Sequence, residues 1–316
     1  MMGTQELYKV AEQALALWGL QGAPIKLIAQ RENAVFQVQT PNSNFALRLH
    51  RPGYQTPEAM ASELAWMASI GDSGVQVPTP IVNQSGKFLE PFEGYYIDML
   101  SWLTGQPMGC FGQPLALDDR NGTFAQIGRM MAQLHAQADA WNRPNGFQRM
   151  AWNRDGLIGE NPLWGRFWEN PDLPADLQQQ MLQCRAQVDV ILANENLDYG
   201  LIHADLVREN ILLEGNQLQL IDFDDCGFGY RLFDVATTLG KNWLEDDAKE
   251  LEAAFIEGYT SVRQQDWQYL PMFTMLRALT YVGWIVPRID EPGSDERQER
   301  FIRAAKIAMD DFQARS

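Results

Sequence analysis

Apolar positions change their period along the chain, and each change predicts an element. Leu7, Val10, Ala14, Leu17 and Trp18 recur at helical spacing and stop at Gly19, so the chain opens with a helix closed by a glycine. The period then shortens to that of a strand. Residues 34–39 and 45–50 form short runs separated by Pro41, Asn42, Ser43 and Asn44, a hairpin signal. In the second run Phe45, Leu47 and Leu49 share one face, and Ala46, Arg48 and His50 share the other. Pro57–Ile70 returns to the helical period, with proline in the first turn and Gly71 at the end. Residues 81–82, 87–89 and 95–100 predict further strands around Gly86 and Gly94. From Asp118 onward the pattern is mostly helical, broken by Pro- and Gly-rich loops at 143–146 and 161–174. The expected fold class is therefore α+β, with a sheet-rich N-terminal lobe over residues 1–100 and a helix-rich C-terminal lobe over residues 101–316.

The chemistry concentrates in residues 201–225. Two apolar runs, 211–213 and 218–221, flank Glu214, Gly215 and Asn216, which reads as a β-hairpin. Asn210 precedes the outgoing strand and Asp222 follows the returning one. Antiparallel pairing brings both to one end of the hairpin, since opposed residues lie about 4.5–5.5 Å apart at Cβ. Asp205 lies on the loop leading in, so two carboxylates and an amide oxygen converge with one local histidine, His203, and no cysteine. Hard oxygen donors of this kind suit Mg²⁺, which takes one or two carboxylates together with substrate phosphates. The spacing His203-x-Asp205, then Asn210, then Asp222 beyond a hairpin matches the catalytic loop and metal aspartate of kinases. The competing reading makes Asp205 and Asn210 turn caps and Asp222 a strand end. Four features at fixed offsets favour the catalytic one.

These residues, with Ile211, Gly229 and the run Phe233, Asp234, Val235 and Ala236, resemble the aminoglycoside phosphotransferase/choline kinase family, near its homoserine-kinase-like and stress-response-kinase-like branches. The resemblance implies a bilobal protein-kinase-like fold that uses ATP and Mg²⁺ to move the γ-phosphoryl group to a hydroxyl. Carried over by position, Asp205 is the catalytic carboxylate and Asn210 and Asp222 are the metal ligands. His203 corresponds to the loop-stabilising histidine, and Asp234 to the acid that ties its segment to the catalytic loop; an ordinary helix cap is the alternative for Asp234. Arg48 stands where the family has a strand lysine, with Glu63 as its helix partner; Arg clamps phosphate oxygens but differs from Lys in geometry. Backbone groups of Leu100 and Trp102 align with the hinge beside the adenine. The chain departs from the family pattern in three places. Residues 30–34 contain no glycine for a phosphate cradle, Val207 stands where a histidine is common, and Ala204 replaces a glycine.

Composition narrows the partners. The 316 residues carry 25 Lys+Arg against 41 Asp+Glu, a net charge of −16, which excludes a duplex nucleic-acid binder and a polybasic membrane-surface protein. Three scattered cysteines predict neither a disulfide framework nor a CxxC metal site. No basic segment precedes an apolar run near Met1, so no signal peptide is expected and the localisation expected is cytoplasmic. The acceptor is expected to meet residues 141–168 and 277–288. There Trp152, Trp164 and Trp168 either wall a cationic ligand, with Asp225 and Glu160 adding negative charge, or form core; core is the more frequent outcome. Met130, Met131 and His135 sit at core-like spacing. The function expected is phosphorylation of a small-molecule hydroxyl on an amino alcohol, a homoserine-like or an aminoglycoside-like acceptor. A protein Ser/Thr kinase of the stress-response type, with a protein substrate, and a non-catalytic ATP-binding protein are the alternatives.

Overall fold

The computed structural model describes residues 4–30, 33–71, 73–110 and 112–315. The chain forms two compact units. The first comprises Met1–Gln106, Ala140–Arg149 and Ile211–Asp224, and the second Pro107–Asp139, Met150–Asn210 and Asp225–Ser316.

The first unit is built on a five-stranded antiparallel sheet of β1 (Ile25–Gln30), β2 (Asn33–Gln39), β3 (Asn44–His50), β4 (Leu89–Phe92) and β5 (Tyr95–Ser101), in the order β1-β2-β3-β5-β4. Ala34, Phe36 and Val38 alternate into the core, where they meet Leu47, Leu49, Ile97 and Met99. Helix α1 (Thr4–Ala14) adds Leu7, Val10, Ala11 and Ala14 to the same cluster. It ends four residues before the periodicity does, because Leu15–Trp18 tighten into a 3₁₀ turn closed by Gly19 at φ 71°.

Sequence pattern misses β1 altogether. Its register shifts between Leu27 and Ala29, and only Ile25 and Leu27 are half-buried on this edge strand, so the alternation is broken. The segment 30–34 thus joins two strands; Arg31 and Glu32 lie outside the described residues. Residues 81–82 form no strand. Pro80 makes an isolated bridge to Leu100, and Asn83 turns the chain by accepting the N–H groups of Ser85 and Lys87 through its side chain. The strand expected at 87–89 begins at Leu89. Helix α2 (Pro57–Ile70) starts where expected, capped by the Thr56 hydroxyl, which accepts the Ala59 N–H at 3.2 Å. The hairpin of Ile211–Glu214 and Gln217–Leu220 is present with Ile211 opposite Leu220, and Phe223 just beyond it packs edge-on against Trp66 of α2.

The second unit is mainly helical: α3 (Arg120–Ala140), α4 (Arg154–Ile158), α5 (Ala175–Asn194), α6 (Arg231–Leu239), α7 (Ala248–Thr260), α8 (Leu270–Trp284) and α9 (Ser294–Arg315). A small sheet orders Ala151–Trp152, Gly227–Tyr230 and Tyr199–Ile202. Helices α3 and α7 approach through glycines. A Cβ on Gly128 would lie 2.1 Å from the Phe255 carbonyl oxygen, and one on Gly258 would lie 1.9 Å from that of Ala125. Helix α8 packs on α6 and α9, and the loop 203–210 runs from the sheet into the 3₁₀ turn Arg208–Asn210. Among the described residues no helix is long and apolar enough to cross a membrane.

Candidate active site

The loop 203–210 is held from beneath by one carboxylate. Asp234, buried in the first turn of α6, accepts the backbone N–H groups of His203 at 3.0 Å and Ala204 at 2.8 Å. It also contacts His135 Nε2 at 3.0 Å, and His135 Nδ1 lies 2.8 Å from the Tyr259 hydroxyl. Burial, reinforced by Arg231, pulls His135 down to about 4, so at neutral pH it is an uncharged ring that donates from Nε2. Asp234 stays below the usual carboxylate value: burial opposes its charge, but His135 and His203 together outweigh it. Ala204, which stands in place of the family's glycine, sits at φ 66°, a conformation that costs a non-glycine residue about 1–2 kcal/mol. The two hydrogen bonds to Asp234 hold it there. Asp234 therefore ties α6 to the loop, as the resemblance implies, rather than capping its helix.

Asp205 projects from this loop with both carboxylate oxygens engaged. Oδ1 accepts Arg277 Nη2 at 2.8 Å, and Oδ2 accepts Asn210 Nδ2 at 3.2 Å. The same Asn210 nitrogen donates to the Asp205 carbonyl at 2.8 Å, and the Asp205 N–H donates to His203 Nδ1 at 3.3 Å. His203 is thus a buried brace for the loop. With its nitrogen turned to Asp205, the Asn210 amide keeps its carbonyl oxygen for another partner. Arg277, on α8, is only 2% exposed; its guanidinium lies over Trp164 at 4.4 Å and Tyr281 at 4.3 Å from the ring centroids.

In the first unit, the strand cation is enclosed by acids. Arg48 Nε and Nη2 bond the two oxygens of Asp98 at 2.9 and 2.8 Å, and Nη1 bonds Glu63 at 2.8 Å and Asp224 at 3.4 Å. The expected Arg48–Glu63 pair is present, buried on both sides. Burial works against the charge of Asp98, but Arg48 and then His50 pull it down to about 2. Asp224 behaves oppositely: burial, then Glu63 and Asp222, push it up to about 7. Arg149 joins the cluster 3.5 Å from Glu63 and donates to the backbone carbonyls of Ala59, Phe223 and Asp224. Asp222 follows the hairpin, exposed and at φ 67°. Leu100 pairs with Ala46, and the Trp102 N–H donates to the Asn44 carbonyl at 3.2 Å.

The structure thus groups Arg48 with Glu63 in one unit and Asp205 with Asn210 in the other. Sequence reasoning does not find Asp98, Arg149 or the Arg277–Asp205 pair. The available signal was a lone charge in an apolar run, Asp98 in β5 and Arg277 in α8, because such charges are rarely buried without partners. Of the three tryptophans, Trp152 and Trp168 are core and Trp164 is half-buried. Trp152 is fully buried on Phe233, Trp168 lies under Arg185 at 4.2 Å, and Trp164 under Arg277. Glu160 is paired with Arg185 at 2.7 Å, and His135 is core as expected.

Residues 24–273 match the model of the phosphotransferase enzyme family. A homoserine kinase of Rhizobium etli (strain CIAT 652) is 28% identical over 242 residues, covering 73% of this chain and 69% of the relative. Among solved structures, the microcompartment-associated aminopropanol kinase superposes with TM-score 0.81 at 27% identity, covering 96% of this chain and 95% of that one. An amicoumacin kinase in complex with AMP-PNP, Ca²⁺ and Ami gives TM-score 0.78 at 20% identity, with 98% and 94% covered.

Proposed function

We propose, from the premise that this chain belongs to the phosphotransferase enzyme family, that it transfers the γ-phosphoryl group of ATP to a hydroxyl of a small molecule with the help of Mg²⁺. The observation that carries this reading is the doubly anchored Asp205 carboxylate on a braced loop, beside an asparagine whose amide oxygen faces no protein donor among the described residues. The fit to a divalent ion rests on donor chemistry. The Asn210 carbonyl oxygen and the exposed Asp222 carboxylate are hard oxygens, and nucleotide phosphates complete such a set. Such an ion, held by Asn210 and Asp222, would neutralise the charge that develops on the transferred phosphoryl group.

The chain's own residues supply the rest. Asp205 accepts the acceptor's hydroxyl proton through Oδ2, while Arg277 on Oδ1 fixes the plane of the carboxylate. In a loose transition state the nucleophile loses its proton late, so this orientation matters at least as much as basicity. Arg48 commits four of its five N–H donors to Asp98, Glu63 and Asp224. It therefore acts mainly as a buried cation that sets those carboxylates, with one N–H left for a phosphate oxygen. Leu100 and Trp102 stay the proposed adenine contacts. Because the Trp102 N–H is taken, a bond from the base would go to its carbonyl. The test is acceptor-dependent ADP release from MgATP across small alcohols, with a generic protein as comparison. ADP release driven only by the protein, or by no acceptor, refutes the reading.

A further inference from the structure

Around Asp205 the second unit gathers cations. Arg277 touches it, and Lys241, just after α6, lies within electrostatic range of Arg277, Asp205, Glu209 and Arg300 of α9. Three positive groups thus meet two negative ones. Lys241 Nζ rests 3.8 Å from the Tyr281 ring centroid, and burial, then Arg277, push its ammonium down to about 8. Asp205 and Glu209 oppose that shift without cancelling it. An anion placed here would relieve the repulsion.

Arg277 asks for the same thing independently. Its Nη2 serves Asp205 and Tyr281, but among the described residues its Nε and Nη1 are buried without a hydrogen-bond partner. The aromatic faces of Trp164 and Tyr281 offset part of the charge, yet they cannot replace directional acceptors for the remaining N–H groups. Nor do these rings await an amine. Trp164 carries Arg277, Tyr281 carries Lys241 and stacks on Phe301, and Trp284 carries Arg288 at 4.0 Å. A cationic acceptor would meet ammonium and guanidinium groups, not bare faces.

We propose that the acceptor is a short alcohol bearing a carboxylate, bound by an unpaired N–H of Arg277 and by Lys241 while its hydroxyl meets Asp205. The proposal rests on the kinase reading above and deepens it. Because Arg277 touches Asp205 directly, the anion and the reacting hydroxyl are held close together, which favours small molecules over extended ones. Lys241 has a flexible stem that lets its ammonium re-aim toward an anion.

The test uses matched pairs that differ only in the carboxylate: serine and ethanolamine, homoserine and 3-aminopropan-1-ol, threonine and 1-aminopropan-2-ol. Two readouts are taken, thermal stabilisation by each compound alone and ADP release with MgATP. In at least one pair the carboxylate member should bind and turn over at least about tenfold better, as expected for a charge-assisted hydrogen bond. Lys241→Met should raise KM for that member at least about tenfold with little change in KM for its decarboxylated partner. Turnover that favours the decarboxylated members overturns the proposal and leaves the kinase reading intact. Selective binding of a carboxylate member without any ADP release supports the anion site and refutes the kinase reading. No selective binding in any pair overturns the anion site. A Lys241→Met variant that loses kcat equally for both members, at unchanged KM, assigns the cations to the transferred phosphoryl group and also overturns it.

Discussion

Replacing Asp98 with Asn probes the buried cluster that sets Arg48. The substitution keeps the side chain's shape but removes the charge that Arg48 holds through two hydrogen bonds and that His50 also contacts. Breaking a buried ion pair by removing one partner typically costs about 3–5 kcal/mol. Here Glu63 and Asp224 still face Arg48, so the lower end applies. Linkage gives a second figure. Lowering Asp98 from 3.8 to about 2 corresponds to roughly 2 kcal/mol at about 1.4 kcal/mol per pKa unit. The two routes agree on about 2–3 kcal/mol, or a melting midpoint lower by roughly 3–5 °C for a chain of 316 residues. The sign with pH follows from a folded pKa below the unfolded one. The stabilisation is fully present above about pH 4 and disappears as pH falls through 2. Thermal unfolding of wild type and Asp98→Asn between pH 7 and 2 should therefore converge in acid. Equal midpoints at pH 7, or a gap that persists unchanged to pH 2, would refute the assignment of Asp98 as the partner that holds Arg48.

Two further outcomes are expected. His135 is held neutral, with a folded pKa of about 4 against 6.5 in the unfolded chain, so the native state loses stability as pH falls from 6.5 to 4; His135→Gln should flatten that part of the stability profile in denaturant titrations. Asp222→Ala should leave the unfolding midpoint nearly unchanged, because the side chain is exposed, while reducing turnover at least about a hundredfold; equal activity with EDTA and with Mg²⁺ contradicts the metal assignment.

Much of this molecule was legible where local rules act alone. The hairpin 211–220 and helix α2 follow from turn chemistry and proline placement, and the Arg48–Glu63 pairing from the family resemblance. The loop order His203, Asp205, Asn210 was readable because its residue types sit at fixed offsets. The partners that make it work were not. Asp98 meets Arg48 only because β5 is placed beside β3, and Arg277 meets Asp205 only because α8 packs on α6. Such pairings are set by tertiary register, which a single sequence does not show. Strand β1 escaped for a different reason, since a bulge and a nearly bare edge erase the alternation on which strand recognition depends.

The central claim is that Asp205 orients and deprotonates the acceptor hydroxyl, and Asp205→Asn tests it most directly. Asn is nearly isosteric, keeps the bond from Arg277 through its single side-chain oxygen, and leaves the Asn210 amide its bond to the backbone carbonyl of residue 205, but it cannot take a proton. A positioned general base contributes about 10²–10⁴-fold in rate, so kcat should fall at least about a hundredfold, or about 2.7 kcal/mol of barrier. KM for ATP should change little, because Asn210 and Asp222 remain, and a retained cooperative melt shows that the loop still folds. Full turnover with lost nucleotide binding would contradict the account.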